Sequence, residues 1–289
     1  MKYVIVFLMI IANTFALEIK GDMILGEKNE VIPLKEYKRI VVYNFGAVEL
    51  LYKIGAGEKI VGVANHNKKI WPEEKTKLIP LAGGVSKPSI EKILSFNPDL
   101  VIFNIMGNQS EELKKFGIPS ITFVNRSLND ILKNTLVLGK MTNKEKESLD
   151  LVEELTNKLN LIKNGKKIEG KALILYSDSP PTSFAKDSLP VEILEQIGLE
   201  VILPKGGKKS IVSSEYILRE NPKYIIGTRG INKREEIIKS IPLIEETDAF
   251  KDGNIYLIDS TEIMRASHRV FDEIENIYKI LKGDSDERS

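Results

Sequence analysis

Along most of the chain, short runs of β-branched residues alternate with stretches whose apolar positions recur every three or four residues. Arg39–Tyr43, Ile60–Ala64, Leu100–Phe103 and Ser120–Val124 read as strands. The same grammar returns at Lys171–Tyr176, Glu200–Leu203, Tyr224–Gly227 and Ile255–Ile258. Strands interleaved with helical patterns predict parallel sheet covered by helices. Ahead of the first strand, Glu18–Lys38 reads as a polar hairpin turning near Gly26-Glu27-Lys28-Asn29.

Between the two sets lies Thr142–Asn164, where Leu149, Val152, Leu155, Leu159 and Ile162 keep helical spacing. Thr142 and Glu145 have the spacing of a capping box, and Gly165 supplies a stop. Such a helix spans on the order of 30 Å and could hold two lobes at a fixed separation. A repeat supports two lobes. Ser86–Pro98, leading into Leu100–Phe103, recurs as Ser210–Pro222, leading into Tyr224–Gly227, with Ser, Ser, Glu, Ile, Leu, Asn and Pro in register. Each copy predicts a short helix capped by Ser89 or Ser213 and stopped by Asn-Pro. A weaker echo pairs Glu49–Gly55 with Glu192–Gly198, each an apolar helix ending in Ile-Gly. The expected fold class is α/β, with two Rossmann-like lobes, each around a central parallel sheet, joined by one long α-helix. The expected boundaries are 17–141, 142–164 for the linking helix, and 165–289.

The first residues change the picture of where the chain works. Lys2, the apolar run Val4–Ala12 and the small residues Thr14 and Ala16 follow the order of a secretory signal, with cleavage expected after Ala16. The run is too short to span a bilayer. Export without any cysteine excludes disulfides, thiol catalysis and a lipidated N-terminal Cys. A binder without an anchor is retained best in a periplasm, which is the expected location. Lys and Arg number 42 against 41 Asp and Glu, so no general pull toward nucleic acid exists.

In a parallel α/β sheet, ligands gather beyond the carboxyl ends of the strands. Those positions hold Tyr43, Asn44, His66, Met106 and Arg126 in the first half, and Tyr176, Arg229 and the stretch Asp259–Arg265 in the second. Arg126, Arg229 and Arg265 could converge on an oxygen-rich anion, or each could serve its own loop. Tyr43, Tyr176, His66 and Met106 could line a cleft or reach a chelated metal, although single residues of these types are commonly packing. Only His66 and His268 exist, so a site for bare zinc or manganese lacks its ligands, and no protein-held metal is expected. Gly206-Gly207-Lys208-Lys209-Ser210 lacks the spacing of a phosphate loop and reads as a basic turn. No nucleophile elbow, zinc-protease or dinucleotide motif is present, so no catalytic residue is expected.

The assembled order of motifs resembles the cobalamin and ferric-siderophore branch of periplasmic binding proteins, whose lobes are joined by one long helix. The resemblance rests on Glu49-Leu50-Leu51 with Gly55, Gly83-Gly84 before Pro88-Ser89-Ile90-Glu91, Asn97–Ile102, Ser188–Gly198, Ser213–Pro222, and Arg265-Ala266-Ser267 with Arg269. It implies a monomeric, non-enzymatic carrier that captures an iron-siderophore, anionic in charge, and delivers it to an inner-membrane ABC permease dimer with its ATPase. It also implies that Glu91 and Glu215 dock on permease arginines, although the helix dipole alone would favour a carboxylate in a first turn. Haem, held by Tyr43, His66 or Tyr176, and cobalamin are the alternative ligands. An exported α/β enzyme and a scaffold with a vestigial cleft are the rivals of another class.

Overall fold

The computed structural model describes residues 16–66, 69–104, 109–204, 208–228 and 230–283. The chain begins with a small antiparallel meander, β1 (Glu18–Lys20), β2 (Met23–Leu25) and β3 (Val31–Pro33). The turn expected at Gly26–Asn29 joins β2 to β3, and Gly21, with φ of 59°, allows a second turn ahead of it. The expected hairpin is thus a three-stranded unit.

The first lobe follows as β4 (Ile40–Val42), α1 (Phe45–Lys53), β5 (Ile60–Asn65), α2 (Glu73–Thr76), β6 (Leu81–Gly84), α3 (Ile90–Ser95), β7 (Leu100–Phe103), α4 (Gln109–Lys115), β8 (Ser120–Thr122) and α5 (Leu128–Met141). Its five strands are all parallel, in the order β6-β5-β4-β7-β8. The linking helix is α6 (Glu145–Asn164). The second lobe comprises β9 (Lys171–Asp178), β10 (Pro181–Ser183), α7 (Leu189–Gln196), β11 (Glu200–Val201), α8 (Ser214–Glu220), β12 (Tyr224–Gly227), α9 (Arg234–Ser240), α10 (Asp248–Lys251), β13 (Ile255–Leu257), α11 (Thr261–Arg265) and α12 (Val270–Lys282). One edge of β9 is shared by antiparallel β10 and parallel β11, and β12 and β13 continue in parallel on the other.

Alternation along the strands divides the apolar residues into layers. Ile40 and Val42 of β4 face a core that runs through α1, α5, α6, α7 and α12 into the second sheet at Ala172, Ile174 and Ile226. Val41 and Tyr43 face the opposite way, under α3 and α4. Leu173, Leu175 and Ile225 do the same beneath α8 and α9. The lobes are therefore joined by a continuous apolar core and not by the linking helix alone. No helix among the described residues is long and apolar enough to cross a membrane.

The linking helix starts later than its sequence suggests. Thr142 closes α5, donating its hydroxyl to the Leu138 carbonyl at 2.7 Å, and no side chain caps α6. The expected Thr142–Glu145 capping box does not form because the preceding helix claims the threonine. Its buried stripe is Ser148, Leu151, Leu155 and Leu159, while Leu149 points to solvent. The repeat folds as expected. Ser89 and Ser213 accept hydrogen bonds from the Lys92 and Tyr216 amides, and Asn97 and Asn221 take the left-handed conformation at the other end.

Candidate functional site

A groove of about 550 Å³ opens between the lobes. One side, the loop after β5, supplies Lys69, Ile70, Trp71 and Glu73. The other, from the end of β13 into α12, supplies Asp259, Thr261, Glu262, Arg265 and Arg269. Both sides follow carboxyl ends of parallel strands, where such sheets leave room for ligands. The volume lies within the range of about 300–1,000 Å³ usual for ligand clefts.

The two sides are tied by Glu49, which interrupts the apolar run Ala47-Val48-Glu49-Leu50-Leu51 of α1 and is fully buried. A carboxylate removed from water requires donors and a counter-charge. The other lobe provides them: Arg265 Nη1 donates to Oε1 at 2.9 Å, and the Ser267 hydroxyl donates to Oε2 at 2.5 Å. The Trp71 backbone N–H donates to Oε1 at 3.4 Å, and Arg265 Nη2 donates to the Lys69 carbonyl. Gly46 permits the approach, because a Cβ there would strike the Arg265 carbonyl oxygen. Asn125 adds a hydrogen bond to the Ala266 carbonyl at 2.7 Å.

Trp71 meets the ring of buried His268 edge-on, with centroids 4.9 Å apart. Burial, reinforced by the Lys53 and Arg269 charges, pushes the His268 pKa down to about 3, so the ring is neutral. Glu262 pairs through Oε1 with Arg269 at 2.8 Å, while its Oε2 has no hydrogen-bond partner among the described residues. Burial and the Glu49 charge raise the Glu262 pKa. Trp71 and the ion pairs Lys69–Glu73 and Arg269–Glu262 thus border one space. Such a lining, with Lys69, Arg265 and Arg269 balanced by Glu73, Asp259 and Glu262, suits a ligand with an apolar face and hydrogen-bonding edges of both kinds. Among the described residues no three His, Cys, Asp or Glu side chains gather to hold a metal ion.

The residues anticipated from the strand ends divide sharply. Tyr43 is buried in the outer layer of the first lobe, stacked on Phe103 and donating its hydroxyl to the Ala82 carbonyl at 2.5 Å. Burial lifts its pKa to about 12; the expectation of a cleft tyrosine is corrected, because period-two alternation turns it away. Asn44 is spent on structure, capping α1 through the Ala47 amide and donating to Asn104 and the Phe123 carbonyl. His66 is half-buried and lies edge-on to Phe45 at 5.6 Å. Arg126 pairs with Glu27 of the meander at 2.5 Å. Arg265 lines the groove but is held by Glu49. These two arginines therefore serve different carboxylates and do not present a joint fork. Tyr176 is half-buried against Phe184, with the Lys209 ammonium 3.1 Å from its ring centroid. Met106 and Arg229 lie outside the described residues. Trp71 and Arg269 fall outside the strand-end positions, and Glu262 enters them only as part of the stretch Asp259–Arg265. Glu91 and Glu215 are both exposed, each in the first turn of its helix.

A family model described as periplasmic binding protein matches residues 40–262. The vitamin B12-binding protein of Vibrio campbellii is 25% identical over 83% of this chain and 88% of its own length. The petrobactin-binding protein of Bacillus subtilis is 23% identical over 81% of this chain and 78% of its own. Among solved structures, a possible iron-binding periplasmic solute-binding protein from Staphylococcus epidermidis superposes with a TM-score of 0.75, covering 85% of this chain and 98% of that one at 23% identity.

Proposed function

The chain belongs to the periplasmic binding protein family, and from that premise we propose that it captures an iron-siderophore in the interlobe groove for an ABC importer. The relatives named for vitamin B12 and petrobactin support a bulky metal chelate as the class of ligand. The observation that carries the reading is a groove whose opposite sides belong to different lobes, with Trp71 facing a cluster that contains Glu262 and Arg269. Lys69 and Arg269, paired with Glu73 and Glu262, would have to exchange those carboxylates for an anionic chelate, and the engagement of Arg126 and Arg265 leaves less positive charge than three free arginines would supply. Cobalamin or haem is the second reading, favoured by the broad indole of Trp71 beside a neutral histidine.

These relatives are named for binding, which supports a carrier and not a catalyst. Exposed Glu91 and Glu215, at equivalent positions of the repeat, are proposed to meet basic residues of the permease. Release of the leader after Ala16 is proposed for export. The amide of Leu17, which would then open the mature chain, already donates to buried Asn134 at 2.7 Å.

The test is titration of the purified protein with ferric catecholates, ferric hydroxamates, haemin and cyanocobalamin, following Trp71, the sole tryptophan. Saturable binding of a ferric siderophore, with Trp71 emission changing in step, is the expected result. Charge reversal at both Glu91 and Glu215 should leave that titration unchanged and abolish chelate uptake by cells that depend on this protein. Failure of every chelate to bind would remove the proposal.

A further inference from the structure

Glu49 and Glu192 occupy the same place in the echo that pairs α1 with α7, and each reaches into the opposite lobe. Glu49 of the first lobe accepts from Arg265, the last residue of α11, and from Ser267 in the turn between α11 and α12. Glu192 of the second lobe accepts from the amide of Leu128, the first residue of α5, at 2.9 Å. The lobes thus exchange carboxylates, each offering one near the start of the other's terminal helix. Only the Glu49 end also touches the groove, through the Trp71 amide and through Arg265, which in turn holds the Lys69 carbonyl.

We propose that Glu49 is the positioning residue of the ligand groove, holding the Trp71 wall of one lobe and the Arg265–Arg269 wall of the other at a preset separation. It touches no ligand, and it acts through the Trp71 backbone and the Arg265 guanidinium. A carboxylate serves here because three donor groups from two segments, one of them a cation, cannot all be satisfied by one neutral amide, which offers a single acceptor oxygen. Preset walls bind more tightly than walls that must be ordered by the ligand. The inference rests on the groove being the ligand site, and its first readout is independent of any ligand.

The experiment compares Glu49→Gln, Ser267→Ala and Glu192→Gln with the parent protein by Trp71 emission and acrylamide quenching, without ligand. Ser267→Ala removes the hydroxyl's bond to Glu49 and its long one from the Arg269 amide but leaves the ion pair, so it should fold even where Glu49→Gln does not. Glu49→Gln and Ser267→Ala should shift Trp71 to the red and raise its quenching, and Glu192→Gln should leave both unchanged. For whichever of the four chelate classes binds, Glu49→Gln should weaken affinity about tenfold, the scale of one lost charged hydrogen bond. Unchanged Trp71 in Ser267→Ala and Glu49→Gln, whatever their melting temperatures, would reduce Glu49 to a structural tie. Equal movement of Trp71 in Glu192→Gln would show a global loosening and overturn the proposal equally. A moved Trp71 in a protein that binds no chelate would confirm the positioning and refute the groove's assigned function.

Discussion

At one seam between the lobes, Glu49 is fully buried and sits against Arg265 and Ser267. At the other, the partly buried Glu192 meets the Leu128 amide and has no ion pair among the described residues. Burial raises the Glu192 pKa, the Leu128 hydrogen bond and the distant Lys163 opposing it only in part. The same helix position thus carries a neutralised charge at the groove and an under-compensated one away from it. A buried pair rarely adds much net stability, yet breaking it strands a charge. Its worth lies in fixing geometry, and the fixed seam is the one beside Trp71.

The largest effect is expected at the fixed seam. Arg265→Met leaves Glu49 buried without its cation and should cost about 3–5 kcal/mol in urea unfolding. Adding Glu49→Leu should recover most of that loss, since an apolar pair of similar volume is often no less stable. A double variant as unstable as the single would mean that the defect is one of packing and not of stranded charge.

The open seam should respond weakly and in the opposite direction. Glu192 has a folded pKa above its ordinary value of 4.5, so its protonated form favours the fold. That contribution is complete below the ordinary value and is lost as pH rises through the folded one. At neutral pH Glu192→Gln should therefore raise stability, by less than about 1 kcal/mol, and the gain should vanish in acid. Paired urea titrations at neutral and acid pH measure it. A loss of stability at neutral pH would contradict the assignment of the shift to burial.

Much of this architecture was legible in the sequence, for identifiable reasons. Leu100–Phe103 and Tyr224–Gly227 are unbroken apolar runs behind Asn-Pro stops, and their limits match the strands observed. β6 was missed because Leu81-Ala82-Gly83-Gly84 has no β-branched residue, and β10 because it opens with Pro181. Tyr43 was misplaced by position alone, whereas its alternation with Val41 already placed it on the outer layer. Glu49 was visible as a charge inside an apolar helix and as one half of the echo. Its partners were not, since Arg265 and Ser267 lie more than two hundred residues away. Trp71 and Arg269 become groove residues only when two distant segments meet, which local pattern cannot report.

The central claim, a preformed groove held open by the Glu49 seam, is tested most directly by the distance between the lobes in solution. The chain has no cysteine, so Lys92→Cys and Arg219→Cys, on exposed faces of α3 and α8, give a unique pair for spin labels. The distance distribution should be single and narrow in the free protein, and should keep its centre when a ferric siderophore is bound. A broad free distribution that shortens and sharpens on loading would contradict the account.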